Sequence, residues 1–308
     1  MKIGLVGYQG SGKSTLFEWL TGVAADPSQA HKEQAAMATV PEPRVAALAD
    51  IYHPKKITMA SLEIVDTPGL SRTHEGNAAR LALIREAGCL VLVVAGFGGA
   101  NPVTDLRSFE EDLTLADMEI LSGRIHRIEE SLKKPIPRQE REQLVHEEQT
   151  LKLVLAGLES DKPLREADMN DEQKKVTRAF RLLTEKPRIV VVNTADDEEN
   201  PRRFVEAMPK DIAVLTIPVG LEVELSRMSP EDRREFEAEM GLQGTDRDHV
   251  IRTLMDVSGQ KLFFTAGEKE VRTWMLFKDG TALDAAAGIH TDLARGFIRA
   301  EVMTCADL

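Results

Sequence analysis

GYQGSGKS, residues 7–14, decides how this chain folds. It matches the pattern GxxxxGK[ST], with the apolar run KIGLV before it and TLFEWL after it. That strand, loop and helix context makes it a phosphate loop. Gly7, Gly10 and Gly12, with Ser11 between the last two, let backbone N–H groups close around phosphate oxygens. The start of the next helix adds positive potential. Lys13 has the reach and charge for the β- and γ-phosphates, Ser14 the hydroxyl for Mg²⁺, and Thr15 the hydroxyl to support the α-phosphate.

Working outward, DTPG at residues 66–69 follows the apolar run LEIV. An acid at such a strand end holds Mg²⁺ through water, and a glycine N–H there senses the γ-phosphate. Asp66 and Gly69 are therefore assigned to the same site as the phosphate loop. Leu70 follows, where Ras-like GTPases carry the glutamine that orients the attacking water. A leucine cannot orient water, so unaided hydrolysis should be slow. His74 and Glu75 lie in the next loop, and His74 is taken as a candidate catalytic group by position.

VVVNTADD at residues 190–197 ends a valine run in Asn193, Thr194, Ala195 and Asp196. Ordinary GTPases read guanine here with Asn-Lys-x-Asp, the aspartate accepting from the ring N–H and exocyclic amine. Asp196 matches that pattern and Thr194, in the lysine position, departs from it. Adenine offers an acceptor where guanine offers the ring donor, so an aspartate facing it is penalised.

Five short, nearly continuous apolar runs, at residues 2–6, 62–65, 90–94, 189–192 and 212–217, predict a mostly parallel sheet covered on both faces. Between the third and fourth, residues 105–186 are rich in Glu, Lys, Arg and Leu. Leu121, Ile125, Ile128 and Leu132 keep helical spacing, as do Leu144, Leu151, Leu155 and Leu158 after the break KKPIPRQ. Pro135 and Pro137 make that break the tip of a helical hairpin. After residue 261 strand-like and helix-like stretches mix, predicting a small α+β appendage. The expected division is 1–104 with 187–260 for the nucleotide domain, 105–186 for the insert and 261–308 for the appendage.

A net charge of −12 and a pI near 5.2 over 308 residues argue against a chain-wide grip on nucleic acid. Any RNA contact must be local, and no DNA partner is expected. Two cysteines, Cys89 and Cys305, are too few for a disulfide framework and fit a reducing cytoplasm. The N-terminus enters MKIGLVG directly, so neither export nor membrane insertion is expected.

GYQGSGKSTLF, VPEPRVAALADIYHPKK, DTPGL, NTAD and FFTAGEKEVRTWMLFKDG…AAGIHTDLARGFIRAEV together resemble the YchF (Obg-like ATPase) family nearly end to end. The C-terminal block and the PEPR…PKK stretch carry the resemblance most specifically. It implies a Ras-like P-loop NTPase domain, an inserted coiled-coil hairpin and a C-terminal TGS domain. It also implies ATP in preference to GTP, Mg²⁺ dependence, a hydrophobic residue (Leu70 here) in place of the catalytic glutamine, and association with ribosomes. IPVGLE then occupies the family's second base-contacting loop, where Val219 and Gly220 act through backbone N–H groups.

Three departures qualify what carries over. Gly10 stands where the family's loop has the Asn linked to monovalent cations, which removes the basis for expecting potassium stimulation. No threonine lies at residues 28–31, where the effector-loop Mg²⁺ ligand is due, and Thr39 is out of register. The TGS pattern is expected to be partial at Leu308. The resulting expectation is an Mg²⁺-dependent triphosphatase switch, ATP favoured and GTP the alternative. Leu70 also motivates a competing class, a scaffold that binds nucleotide and hardly turns over. A kinase is a third class, disfavoured by DTPG and NTAD in this order.

Overall fold

The computed structural model describes residues 1–160, 169–240, 244–305 and 307. Parts of the expected insert (161–168), of the nucleotide domain (241–243) and of the C-terminal segment (306 and 308) lie outside the described residues. Strands β1 (Lys2–Val6), β2 (Gln34–Thr39), β3 (Ile57–Thr58), β4 (Ser61–Asp66), β5 (Cys89–Gly96), β6 (Arg188–Thr194) and β7 (Ala213–Ile217) come first in the chain. Strands β8 (Gln260–Thr265) and β9 (Val271–Phe277) follow. Six of them form one sheet in the order β2-β4-β1-β5-β6-β7, parallel except for β2. All five predicted runs are strands of it. The edge strand β2, QAAMAT, has too few β-branched residues for its sequence to announce it.

Alternation divides each central strand between two cores. Ile3, Leu5, Val91 and Val93 face one side, against Leu16, Phe17 and Leu20 of α1 (Lys13–Thr21). Val6, Leu90, Leu92 and Val94 face the other, covered by α3 (Asn77–Ile84) and by Leu106, Phe109 and Leu113 of α4 (Pro102–Leu132). Burial on both faces explains why these strands read as unbroken apolar runs.

Helix α4 is 31 residues long and starts at Pro102, capped by the Asn101 side chain. It is therefore part of the sheet packing before it becomes the first arm of the insert, and the boundary expected at 105 falls inside it. It turns through residues 133–137 into α5 (Arg138–Glu159), as the two prolines require. Leu121, Ile125 and Ile128 close on Leu151, Val154 and Leu158 in a core of their own, joined by Met169 and Leu182. Among the described residues, no helix is long and apolar enough to cross a membrane.

The C-terminal segment forms a three-stranded sheet, β3-β9-β8, followed by α11 (Ala282–Ile289). Its third strand corrects the expected division. Residues 57–58, assigned to the nucleotide domain, pair with Val271 and Arg272 of β9. Val45 and Leu48 of α2 (Arg44–Tyr52) pack on Val271 beside Phe264. The Ala60 N–H also donates to Thr273 Oγ1 at 2.6 Å. The PEPR…PKK stretch is thus the seam between the two sheets.

Candidate functional site

The loop after β1 holds its glycines in left-handed backbone, Gly7 at φ +139° and Gly12 at φ +95°. Space forbids a side chain at either. A Cβ on Gly7 would lie 2.4 Å from the Val93 carbonyl, and one on Gly12 2.2 Å from Asn193 Nδ2. Gly12 directly precedes α1, so Lys13 begins the helix and its ammonium is buried. There Nζ donates to the Tyr8 carbonyl at 2.9 Å.

Burial pulls the Lys13 ammonium down to about 8, against an opposing pull from Asp66. A triphosphate brings anionic oxygens that restore the proton. At pH 8 about half a proton should be taken up per nucleotide bound, falling towards none near pH 6. Calorimetry at pH 8 in buffers of differing ionisation enthalpy reads this directly; uptake that does not fall between pH 8 and pH 6.5 would contradict it.

Ser14 Oγ donates to Asp66 Oδ2 at 2.6 Å, joining the phosphate loop to the end of β4. Burial pushes the Asp66 carboxyl up, with Ser14 and Lys13 opposing. Its other oxygen, Oδ1, is buried without a hydrogen-bond partner, as is Ser11 Oγ in the phosphate loop. A buried carboxylate with one free oxygen next to a serine hydroxyl fits a hard divalent cation, and Mg²⁺ takes few protein ligands beside phosphate and water. Among the described residues there is no cage of three His, Cys, Asp or Glu. Ser14 and Asp66 are therefore the groups that would hold the ion.

Gly69 completes the cradle, since a Cβ there would meet Lys13 Nζ at 2.7 Å. The next residue zips the two loops together: Leu70 N–H donates to the Gly7 carbonyl at 3.0 Å and Gln9 N–H to the Leu70 carbonyl at 3.1 Å. The Leu70 side chain is fully buried among Val6, Tyr8 and Leu81. Leucine in the glutamine position is thus a core residue. Thr39 stands at the far end of β2, opposite Ser61, while Gln34 is the residue paired with Asp66. Five residues of strand, about 17 Å, separate Thr39 from the site. Residues 26–29 instead fold on Asp26, which accepts from Ser28 and Gln29 and is held through its backbone by Gln34.

His74 is exposed, at φ +60°, and its Nδ1 lies 3.0 Å from Asp112 Oδ1 of α4. Its partner is thus a carboxylate of α4, the one that also accepts from the Tyr8 phenol. Arg72, passed over in the sequence, is held the same way by a bidentate pair with Asp105 at 2.5 and 2.7 Å.

In the base loop the residues separate by role. Asn193 is buried with both ends of its amide engaged, Nδ2 donating to the Ser11 carbonyl and Oδ1 accepting from Val219 N–H, each at 3.1 Å. It ties the phosphate loop to α8 (Val219–Ser226), and these two bonds use one of its two amide N–H groups and one of its two carbonyl lone pairs. Thr194 is buried in β6, opposite Gly96. Asp196 is exposed, and Gly220, open at the start of α8, lies beside it with its Cβ position 3.7 Å from Oδ1. Asp196 and the backbone at Gly220 are the exposed groups of this loop that could face a base, and Thr15 lies one residue beyond Ser14.

Comparisons with known proteins agree with this arrangement. Residues 2–124 match a family model described as a 50S ribosome-binding GTPase, and residues 261–308 match the C-terminal model of YchF GTPases, described as a protein of unknown function. The chain is 31% identical to the ribosome-binding ATPase YchF of Bacillus subtilis (strain 168), over 99% of its own length and 89% of that relative. It is 33% identical to the same-named protein of Haemophilus influenzae, with the same coverage. The chain belongs to the YchF family. Obg-like ATPase 1 of rice (Oryza sativa subsp. indica) is 31% identical over the whole chain and 83% of that relative. The solved structure of the Schizosaccharomyces pombe YchF GTPase superposes with a TM-score of 0.79 at 24% identity, covering 97% of this chain and 86% of that one, and shares the fold. The YchF frame thus accounts for the Ras-like strand order, the helical insert and the C-terminal sheet.

Four polar residues at the site's flank escaped sequence reasoning: Tyr8, Arg72, Asp105 and Asp112. One signal was present, since Asp105 and Asp112 stand seven residues apart and so share a face of α4.

Proposed function

We propose that this YchF-family chain is an Mg²⁺-dependent nucleoside triphosphatase that works as a switch on the ribosome, with ATP favoured over GTP. The observation that carries the reading is the convergence of Lys13 Nζ, the Ser14–Asp66 pair and Gly69 on one cradle at the sheet's C-terminal edge. Lys13 takes the β- and γ-phosphates, Ser14 and Asp66 hold the ion, and Gly69 reports the γ-phosphate. Hydrolysis removes that contact and frees the loop after it. The partner is proposed from the names of the relatives, ribosome-binding ATPases, and the segments offered to it are 105–186 and 261–308.

ATP is favoured because Thr194 supplies no lysine stem to cover a guanine ring, and because an exposed Asp196 turns away from adenine at little cost. That same free carboxylate is the observation that supports GTP as the second reading. Titrating non-hydrolysable ATP and GTP analogues against the unsubstituted protein and Asp196→Glu separates the two. We expect ATP to bind at least about threefold more tightly to the unsubstituted protein. A GTP preference that moves towards ATP in Asp196→Glu would overturn it. With Leu70 buried, hydrolysis is expected to be slow alone and to quicken about tenfold or more with ribosomes in single-turnover assays. Equal background rates in both conditions would favour a non-hydrolysing scaffold.

A further inference from the structure

Tyr8 sits inside the phosphate loop but spends its side chain elsewhere. Its carbonyl accepts the Lys13 ammonium, while its phenol donates to Asp112 Oδ2 at 3.1 Å. The ring meets Phe109 edge-on with centroids 6.2 Å apart, and the Arg72 guanidinium lies 4.7 Å over its centre. Arg72 is in turn forked onto Asp105, and His74 shares Asp112 with the phenol. Two turns of α4 therefore hold one side chain from the phosphate loop and two from the loop after DTPG. Both carboxylates are buried at these contacts. His74 keeps a left-handed backbone, which is strained for a non-glycine residue, and its pairing with Asp112 holds it there.

Beyond this cluster α4 is clamped at Asp117. Its fully buried carboxylate accepts from Arg85, from the Leu183 and Thr184 N–H groups and from the Thr184 hydroxyl. From there the same helix runs unbroken to Leu132 at the hairpin tip. The order along one rigid rod is latch, fulcrum and arm.

We propose that Tyr8, Arg72, His74, Asp105 and Asp112 form a latch through which occupancy of the triphosphate site sets the position of the α4–α5 hairpin. The proposal rests on the nucleotide reading above. Lys13 is bonded to the Tyr8 carbonyl, and the Tyr8 phenol in turn holds Asp112 of α4. A triphosphate takes Lys13 for its own oxygens, and γ-phosphate contact at Gly69 pulls on the loop that carries Arg72 and His74. The contacts on Asp105 and Asp112 then loosen, and α4 tilts about Asp117. Fifteen residues of helix lie between Asp117 and Leu132, about 22 Å, so a tilt of about 5°, small enough to keep Leu106, Phe109 and Leu113 in the sheet core, moves the tip by about 2 Å.

The test places spin labels at Ile136→Cys on the tip and Lys210→Cys on the sheet domain, with Cys305→Ser, in the full chain. Distances are measured with and without a non-hydrolysable ATP analogue and Mg²⁺, and analogue binding is followed by calorimetry. The unlatched variants Asp105→Asn and Asp112→Asn both leave the cradle intact. The parent's mean label distance should shift by about 2 Å on binding. The variants should bind within about threefold of it yet show the shifted distance already without nucleotide. Binding with an unmoved distance, or variants that keep the parent's full shift, overturns the latch alone. Failure of the parent to bind any triphosphate overturns the nucleotide reading, and the latch with it.

Discussion

Lys13→Ala is expected to weaken triphosphate binding by about a hundredfold or more, roughly 3 kcal/mol, while leaving the protein folded. Lys13 is the one cation buried at the phosphate cradle among the described residues, and burial already disfavours its charged form. A bound polyphosphate compensates that cost through short charge-assisted contacts in a dehydrated site. Alanine keeps the glycine geometry and the backbone N–H groups of the loop, so residual binding should persist at millimolar concentration. The fold should survive because Lys13 makes one side-chain hydrogen bond, to a neighbouring carbonyl of its own loop. Calorimetry against the ATP analogue measures the loss and circular dichroism the fold. Unchanged affinity in a folded variant removes the proposed site.

Asp117→Ala should cost about 3–5 kcal/mol of stability, a large share of what a single domain has. Its carboxylate is fully buried and takes four donors, among them Arg85 at 2.6 Å. Removing it leaves a mostly buried guanidinium and two backbone N–H groups without their acceptor. Those donors come from the end of α3 and from the segment where the chain returns from the insert. The return should therefore loosen first. Urea denaturation gives the global change, and amide exchange at Leu183 and Thr184 the local one. A loss below about 1 kcal/mol with unchanged exchange would show that Asp117 is no clamp.

Much of this molecule was legible in its sequence because the relevant forces act over short stretches of chain. The five parallel strands are apolar on both faces, so composition alone exposes them. The hairpin follows from leucines at helical spacing on either side of Pro135 and Pro137. Lys13, Ser14, Asp66 and Gly69 were assigned from two motifs, and their geometry is that of one cradle. The base loop was legible only as to place. Nothing local in VVVNTADD says that Asn193 spends its amide on Ser11 and Val219, which lie 182 and 26 residues away.

His74 illustrates the same limit. Its position after DTPG suggested chemistry at the phosphates, whereas the fold brings up Asp112, 38 residues on, to hold its ring. The effector-loop ligand stays unassigned for a similar reason, because the antiparallel register of β2 on β4 sets Gln34 beside Asp66 and Thr39 at the strand's far end.

The sequence by itself determined the P-loop NTPase frame and the helical insert, and it singled out the residues proposed as phosphate and metal ligands. In each case the signal is a backbone requirement or a periodicity contained within a few turns or one strand. Only the tertiary structure decided that Leu70 is a core residue, that Ile57 and Thr58 complete the C-terminal sheet, and that Tyr8, Arg72 and His74 are tied to α4. Those outcomes depend on register and on which faces are buried together, and polar groups far apart in the chain find each other only once the apolar packing has set both.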